Sequence, residues 1–147
     1  MPPLPKTIEI ERIGTLTFND RFQRYETSIE FPDVGFAGDI SIDIESHTDL
    51  TVAKSKMAVA VTGLPSLIAL AIDVAVNALH EIYNSGWRGD KSELSRSEFA
   101  NRLDPCSLWV DEYKDVGMSL STDGMFPGHA IRVDFDDSLT TGTARLW

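Results

Sequence analysis

Residues 63–83, GLPSLIALAIDVAVNALHEIY, are the most apolar stretch of the chain and decide its fold. Pro65 suits the first turn of a helix, and Asn84 and Gly86 suit the end of one. Between these signals, few polar side chains interrupt the apolar run before Asn77. The stretch therefore predicts a long helix that other parts of the protein must cover on most sides.

The clearest strand pattern lies upstream of this helix, at residues 39–45, DISIDIE. Acidic or polar residues alternate strictly with isoleucines here, and successive side chains of a strand point to opposite faces. We therefore expect the isoleucines to face a core, and Asp39, Asp43 and Glu45 to form a row in water.

The remaining segments complete the pattern of an α+β protein. A first helix is predicted from about residue 49, and a short third helix is predicted after Ser95, which has Glu98 at the spacing of a capping box. Further strands are predicted at residues 8–18, 22–31, 106–113, 116–122, 129–135 and 139–146. The order strands, helices, strands predicts one α+β domain over residues 1–147, with a mainly antiparallel sheet packed against a long apolar helix and shorter helices.

The charge of the chain narrows the choice of partners. The chain has 23 acidic and 13 basic residues, which give it a net charge of −10 at pH 7. Such a field repels phosphate backbones and anionic membranes, so direct binding of nucleic acid or membrane is disfavoured and a cationic partner is favoured. Solubility in the cytoplasm also explains an acidic protein.

The start of the chain and its apolar stretch predict a cytoplasmic location. The first residues, MPPLPK, contain no apolar segment of signal-peptide length. The apolar stretch is interrupted by Pro65, Ser66 and Asp73 and falls short of the roughly 20 residues that a membrane span needs. We therefore expect neither export nor a membrane span.

The residues that carry chemistry are not grouped in a familiar motif. Cys106 is the only cysteine, lies in a predicted strand and is expected to fill a small space in the core. His47 lies between Glu45 and Asp49, but this spacing does not converge easily on a metal ion. His80 lies near the end of the long helix, where a cation suits the helix dipole.

The segment DGMFPGHAI, residues 123–131, is the most distinctive of the chain. His129 could form an acid/base pair with Asp123 or Asp134, yet no nucleophile is evidently placed beside it. A structural role for His129, at a turn before a strand, is favoured. We accordingly predict no catalytic residue, no metal site, no cofactor and no enzymatic activity.

Two groups of carboxylates are the candidate partner-binding residues. The first group is Asp39, Asp43 and Glu45; the second is Asp111, Glu112 and Asp115. Either group could form an acidic docking surface for a basic protein. Solubility and protection of a sheet edge remain the simpler explanation of the first group.

The chain resembles small bacterial domains of unknown function whose C-terminal half ends in Phe-x-Gly-His-x-Ile-x-Val, here residues 126–133. The segments that carry the resemblance are Gly14 to Phe18, Tyr83 before Trp87, Ser95 with Glu98 and Phe99, Leu103 to Pro105, Leu108 to Val110, Met118 to Leu120, and Met125 to Val133.

The resemblance implies an immunity protein, because members of such families are found beside polymorphic or contact-dependent toxins that immunity proteins neutralise. It supplies no catalytic residues. A basic toxin, such as a nuclease, would suit an acidic inhibitor. The alternative is a small enzyme or ligand-binding domain that uses His129 beside the apolar helix, and the apolar helix also leaves a homodimer open.

Overall fold

The computed structural model describes residues 4–44 and 50–147 of the chain. The strands are β1 (Thr7–Ile10), β2 (Gly14–Asn19), β3 (Arg24–Phe31), β4 (Phe36–Asp43), β5 (Asp104–Val110), β6 (Val116–Ser121), β7 (Ile131–Phe135) and β8 (Gly142–Leu146). The helices are α1 (Leu50–Thr62), α2 (Leu64–Ile82) and α3 (Arg96–Ala100), with a 3-10 turn at Pro32–Val34 and a π-helical turn at Tyr83–Trp87.

Within the described ranges, the strands form an eight-stranded sheet in the order β1 to β8, so each strand lies beside its neighbours in sequence. The pairs are antiparallel except β4 and β5, which are parallel. Parallel neighbours require a long crossover connection, and the three helices supply it. The predicted α+β class and the mainly antiparallel sheet are therefore confirmed.

The helices gather on one side of the sheet. α1 packs against β1, β4, β5 and β6, α2 packs against β7 and β8, and α3 packs against α2. The isoleucines of residues 39–45 point to this side as predicted, since Ile40, Ile42 and Ile44 are buried. Alternate residues of each strand therefore build the core, and the opposite side of the sheet carries no helix from the described part of the chain.

The α2 helix begins after Gly63 with Pro65 in its first turn, as predicted, and continues into the π-helical turn. Its inner side, with Leu67, Ala71 and Leu79, is buried. Its outer side is only partly covered, because no described element packs over it, and Ile82 is 46% exposed. The prediction of a helix covered on most sides is thus wrong for the outer side.

By length and composition alone, residues Leu64–Trp87 could cross a membrane. A helix in the core of a soluble protein has the same composition, and α2 packs against β7 and β8 along its inner side. The predicted absence of a membrane span and the homodimer both stay predictions.

The cap that the sequence predicts at the start of α3 is present in the structure. Ser95 caps α3 by accepting a hydrogen bond from the backbone N–H of Glu98, at 3.1 Å, while the Glu98 carboxylate accepts from the Ser95 N–H at 2.9 Å. This is the predicted capping box. These bonds lower the pKa of Glu98.

Several predicted boundaries differ from the structure. The segment at residues 8–18 is two strands, because Arg12 adopts a left-handed conformation with φ of 72° and turns the chain between β1 and β2. Pro105 lies inside β5, at a buried position, so this strand begins before the predicted residue 106. Cys106 lies at a bulge of β5 and is partly exposed, with Sγ 3.0 Å from the Ser119 hydroxyl, so it is no core residue.

Candidate functional site

The side of the sheet opposite the helices, called the open face below, is lined by polar side chains. The strand registers place Glu26, Ser41, Trp109, Gly117 and Asp134 in one line across β3 to β7. A parallel line runs through Ser28, Asp39, Ser107, Ser119, Arg132 and Arg145. Asp39 and Asp43 of the predicted row therefore belong to a continuous polar surface, where Asp39 is exposed and Asp43 is half-buried.

The parallel pairing of β4 and β5 brings together residues from both predicted acidic groups. Because both strands end at the same edge of the sheet, Asp43 at the end of β4 lies near Asp111 and Glu112, which follow β5. Half-burial of Asp43 is the main cause that raises the pKa of its carboxyl, and the charges of Asp111 and Glu112 raise it further. Arg24 and Arg132 act in the opposite direction. We call Asp43, Asp111 and Glu112 the acidic cluster.

Asp111 has a second, structural role in the loop after β5. Its Oδ1 accepts hydrogen bonds from the backbone N–H groups of Tyr113 and Asp115, each at 2.9 Å. The carboxylate is thereby held in place, while Glu112 and Asp115 extend into solvent. Asp111 and Glu112 are neighbours in a turn rather than on a regular strand, which allows both charges to act on Asp43.

Asp39 lies on the same face as Asp43 but at a distance of about 13 Å along the strand. It is exposed, accepts a hydrogen bond from Ser28 Oγ at 2.7 Å, and lines a shallow recess of about 770 Å³. Glu45, the third member of the predicted row, lies outside the described residues. The predicted groups are therefore brought together in part: Asp43 lies near Asp111 and Glu112, and Asp115 is bound to Asp111 through its backbone, whereas Asp39 lies farther along β4.

Most polar side chains of the first recess bind one another. Glu26 accepts hydrogen bonds from Asn19 Nδ2 at 2.8 Å and from Arg24 Nε at 2.6 Å. The bond from Asn19, followed by that from Arg24, lowers the pKa of Glu26. Arg24 also lies directly opposite Asp43 across β3 and β4, so its charge lowers the pKa of Asp43 while its Nε is bound to Glu26.

The sequence analysis missed a second recess on the open face, of about 340 Å³, which is lined by Ser107, Trp109, Ser119, Ala130, Arg132 and Trp147. The guanidinium carbon of Arg132 lies 5.2 Å from the ring centroid of Trp109 and 4.5 Å from that of Trp147. A signal was present in the sequence, since the alternation of β5 places Trp109 among outward residues, where an isolated large aromatic is unexpected.

His129 stands at the border of this recess. It is exposed, its Nδ1 lies 3.2 Å from the carbonyl oxygen of Trp147, and its ring meets the edge of Trp87 at a centroid distance of 5.6 Å. Asp134, one of its two predicted partners, instead accepts a hydrogen bond from Arg132 Nε at 3.0 Å. An enzyme or ligand-binding domain that uses His129 stays a prediction.

Of the other two histidines, His80 lies within the described residues. His80 Nε2 lies 2.5 Å from the carbonyl oxygen of Leu94 and ties α2 to the segment before α3, in agreement with a structural role. His47 lies outside the described residues. Among residues 4–44 and 50–147, no group of three or more histidine, cysteine or carboxylate side chains could hold a metal ion.

The fold and the open face define a class: an α+β protein whose antiparallel-rich sheet is covered by helices on one side and offers a charged surface on the other. The chain belongs to the family described as "uncharacterized protein conserved in bacteria" (DUF2262), whose model matches residues 11–146. Neither a curated protein nor a solved structure shows significant similarity to it. The bacterial origin and the domain of unknown function that the resemblance implied are thereby confirmed.

Proposed function

We propose that this protein is a cytoplasmic immunity protein that binds and neutralises a cognate bacterial toxin through the open face. A basic nuclease is the toxin class that best complements its charge. The observation that carries the proposal is the acidic cluster, in which three carboxylates from two separate parts of the chain lie close together at one edge of the sheet.

The acidic cluster has an energetic cost that a cationic partner would remove. Half-burial and the neighbouring charges of Asp111 and Glu112 both disfavour the ionised form of Asp43. Groups that fold into such an unfavourable environment are more frequent at functional sites than elsewhere. A lysine or arginine of a partner would replace this repulsion by attraction.

The open face is also suited to rapid and specific binding. Sheet backbone and internal hydrogen bonds, such as those of Asp111 and Glu26, hold the side chains in place before a partner arrives, so little conformational entropy is lost on binding. The net charge of −10 would steer a basic protein toward the surface and raise its association rate.

Growth rescue tests the proposal. The toxin would first be identified by co-purification with the tagged protein from its native bacterium, and its toxic fragment would then be produced in another bacterial host. We expect co-production of this protein to restore growth. We expect the variant Asp43→Asn/Asp111→Asn/Glu112→Gln to raise the dissociation constant at least about tenfold and to lose protection.

A matched control separates the surface from total charge. Asp73→Asn/Glu81→Gln/Asp90→Asn removes the same number of charges from exposed positions on and after α2, away from the open face. This control variant should protect as well as the native protein. If the native protein did not restore growth against any co-purified toxin, the proposed function would be wrong.

A further inference from the structure

The second recess of the open face contains an arginine, Arg132, whose side chain is held in place by neighbouring residues. Arg132 lies between the rings of Trp109 and Trp147, and its Nε donates to both oxygens of Asp134, at 3.0 and 3.2 Å. Trp109 lies directly over Gly117, where a Cβ atom would come within 2.4 Å of the indole ring. The missing side chain at Gly117 therefore allows Trp109 to pack against the sheet and form a fixed wall for the guanidinium.

The terminal nitrogens of Arg132 are directed to no partner in the described part of the chain, where only Nε makes recorded hydrogen bonds. No buried side-chain nitrogen or oxygen of the described residues lacks a partner, so these terminal nitrogens must reach solvent. The Arg132 side chain is nevertheless only 20% exposed. A partly dehydrated guanidinium whose free edge faces a recess is the geometry that binds a carboxylate through two parallel hydrogen bonds.

A second arginine lies beside Arg132, although the whole protein is acidic. Arg145 lies directly opposite Arg132 across β7 and β8 and also stacks on Trp147, at 5.3 Å. Like charges at directly opposite positions of two strands repel. Asp134 is paired with Arg132, and Asp43 is within electrostatic reach of it, so a ligand carboxylate depends on the free edge of the guanidinium rather than on an excess of positive charge. The hydroxyls of Ser107 and Ser119 also line the recess; because they are hydrogen-bonded to each other, at most one of their protons is left for a ligand.

We propose that this recess binds a carboxylate group, supplied by an acidic side chain of the toxin; the source of the carboxylate rests on the proposed function. Nucleases commonly hold metal-binding carboxylates inside a basic substrate groove. An acidic cluster beside a carboxylate-binding arginine is the complement of that arrangement. The recess would thus place Arg132 on an acidic residue of the toxin, while the acidic cluster binds basic residues around it.

Binding of benzoate tests the recess without the toxin. Benzamide is the matched control, because it has nearly the same shape and no charge. In NMR titrations of the full chain, we expect benzoate to shift the indole N–H signals of Trp109 and Trp147 and to bind about tenfold more tightly than benzamide, a difference of about 1.4 kcal/mol. Equal binding of the two probes, or no shift with either, would overturn the proposal.

Two variants locate the bound benzoate. Arg132→Lys keeps the charge and removes the planar fork, and we expect it to weaken benzoate binding at least about fivefold. Trp147→Ala removes one wall at a position that is 63% exposed, where folding is not at risk, and should also weaken binding. The control variant Arg96→Lys, on α3, should bind benzoate as tightly as the native protein. If it weakened benzoate binding as much as Arg132→Lys does, the assignment of the benzoate site to the recess would be wrong.

Growth rescue then tests the source of the carboxylate. If the toxin supplies it, Arg132→Lys should weaken toxin binding and protection, and Arg96→Lys should not. Full protection by an Arg132→Lys protein that no longer binds benzoate would exclude the toxin as the source. Loss of protection in the acidic-cluster variant combined with absent benzoate binding would contradict only the recess, and the proposed function would stand.

Discussion

Asp43 is the carboxylate of the acidic cluster whose pKa the folded state raises. Its carboxyl is half-buried, accepts no hydrogen bond recorded within the described ranges, and lies near the charges of Asp111 and Glu112. Arg24, the nearest opposing charge, is bound to Glu26. A residue kept in such a place weakens the folded state, which is common where a partner completes the environment.

The pH dependence of stability tests whether Asp43 weakens the folded state. Because the folded state raises the pKa of Asp43 above its ordinary value of 3.8, the folded protein retains the proton at pH values where the unfolded chain has lost it. Stability then falls as the pH rises through that window. We expect Asp43→Asn to be more stable at pH 7 by less than about 1 kcal/mol, since solvent screens a half-exposed group.

The gain should disappear below the ordinary pKa of an aspartate, where both proteins are uncharged at this position. Urea denaturation at pH 7 and at pH 3 measures both values. Asp39→Asn, at an exposed position of the same strand, is the control and should give no such gain. A less stable Asp43→Asn at pH 7 would show that the carboxylate is compensated, and the argument from the acidic cluster would fail.

Among the elements, the parallel pairing of β4 with β5 brings the residues of the acidic cluster together. It is the parallel pair of the described sheet, and the helices separate its two strands in sequence. Gly38 of β4 lies against the bulge of β5, where a Cβ atom would come within 2.0 Å of the Cys106 carbonyl oxygen. β4 and β5 can pair at this register only because residue 38 has no side chain.

Gly38→Ala is therefore expected to disturb the pairing of β4 with β5. The atom in contact belongs to the backbone and cannot rotate away, so we expect a loss of about 1–3 kcal/mol in the free energy of unfolding, measured by urea denaturation. Gly86→Ala, in the π-helical turn, adds the same methyl group in open space and should cost far less. Equal stability of the two variants would mean that β4 and β5 are not joined at this register.

The elements that the sequence predicted well are those with local signals. Pro65 begins α2 and the capping box of Ser95 begins α3, and both depend on residues within one helical turn. The division of β1 from β2 was missed because a non-glycine residue, Arg12, takes the left-handed turn conformation. Such a conformation is uncommon outside glycine, so composition gave no warning of it.

At the scale of the whole molecule, the α+β class was predictable and the candidate site was not. Alternation of polar and apolar residues identified Asp39 and Asp43 on one face, and the two acidic groups were chosen separately. Their meeting depends on the parallel pairing of strands that are distant in sequence, which no local pattern encodes. The same holds for Arg132, whose two tryptophans come from β5 and from the residue after β8.

The position of the acidic residues matters as well as the net charge. A charge of −10 alone favours solubility, whereas the three carboxylates of the acidic cluster, placed together on the open face, would suit a basic partner. The covered side of the sheet contains the core, and under the proposed function the open face would bind the partner.

The most direct measurement is the association rate constant with the toxin fragment as a function of ionic strength. If the acidic cluster steers binding, the native rate should fall steeply with added salt, and the variant Asp43→Asn/Asp111→Asn/Glu112→Gln should associate about tenfold more slowly at low salt with a flatter dependence. Native and variant proteins with the same rate and the same salt dependence would contradict a function based on this surface.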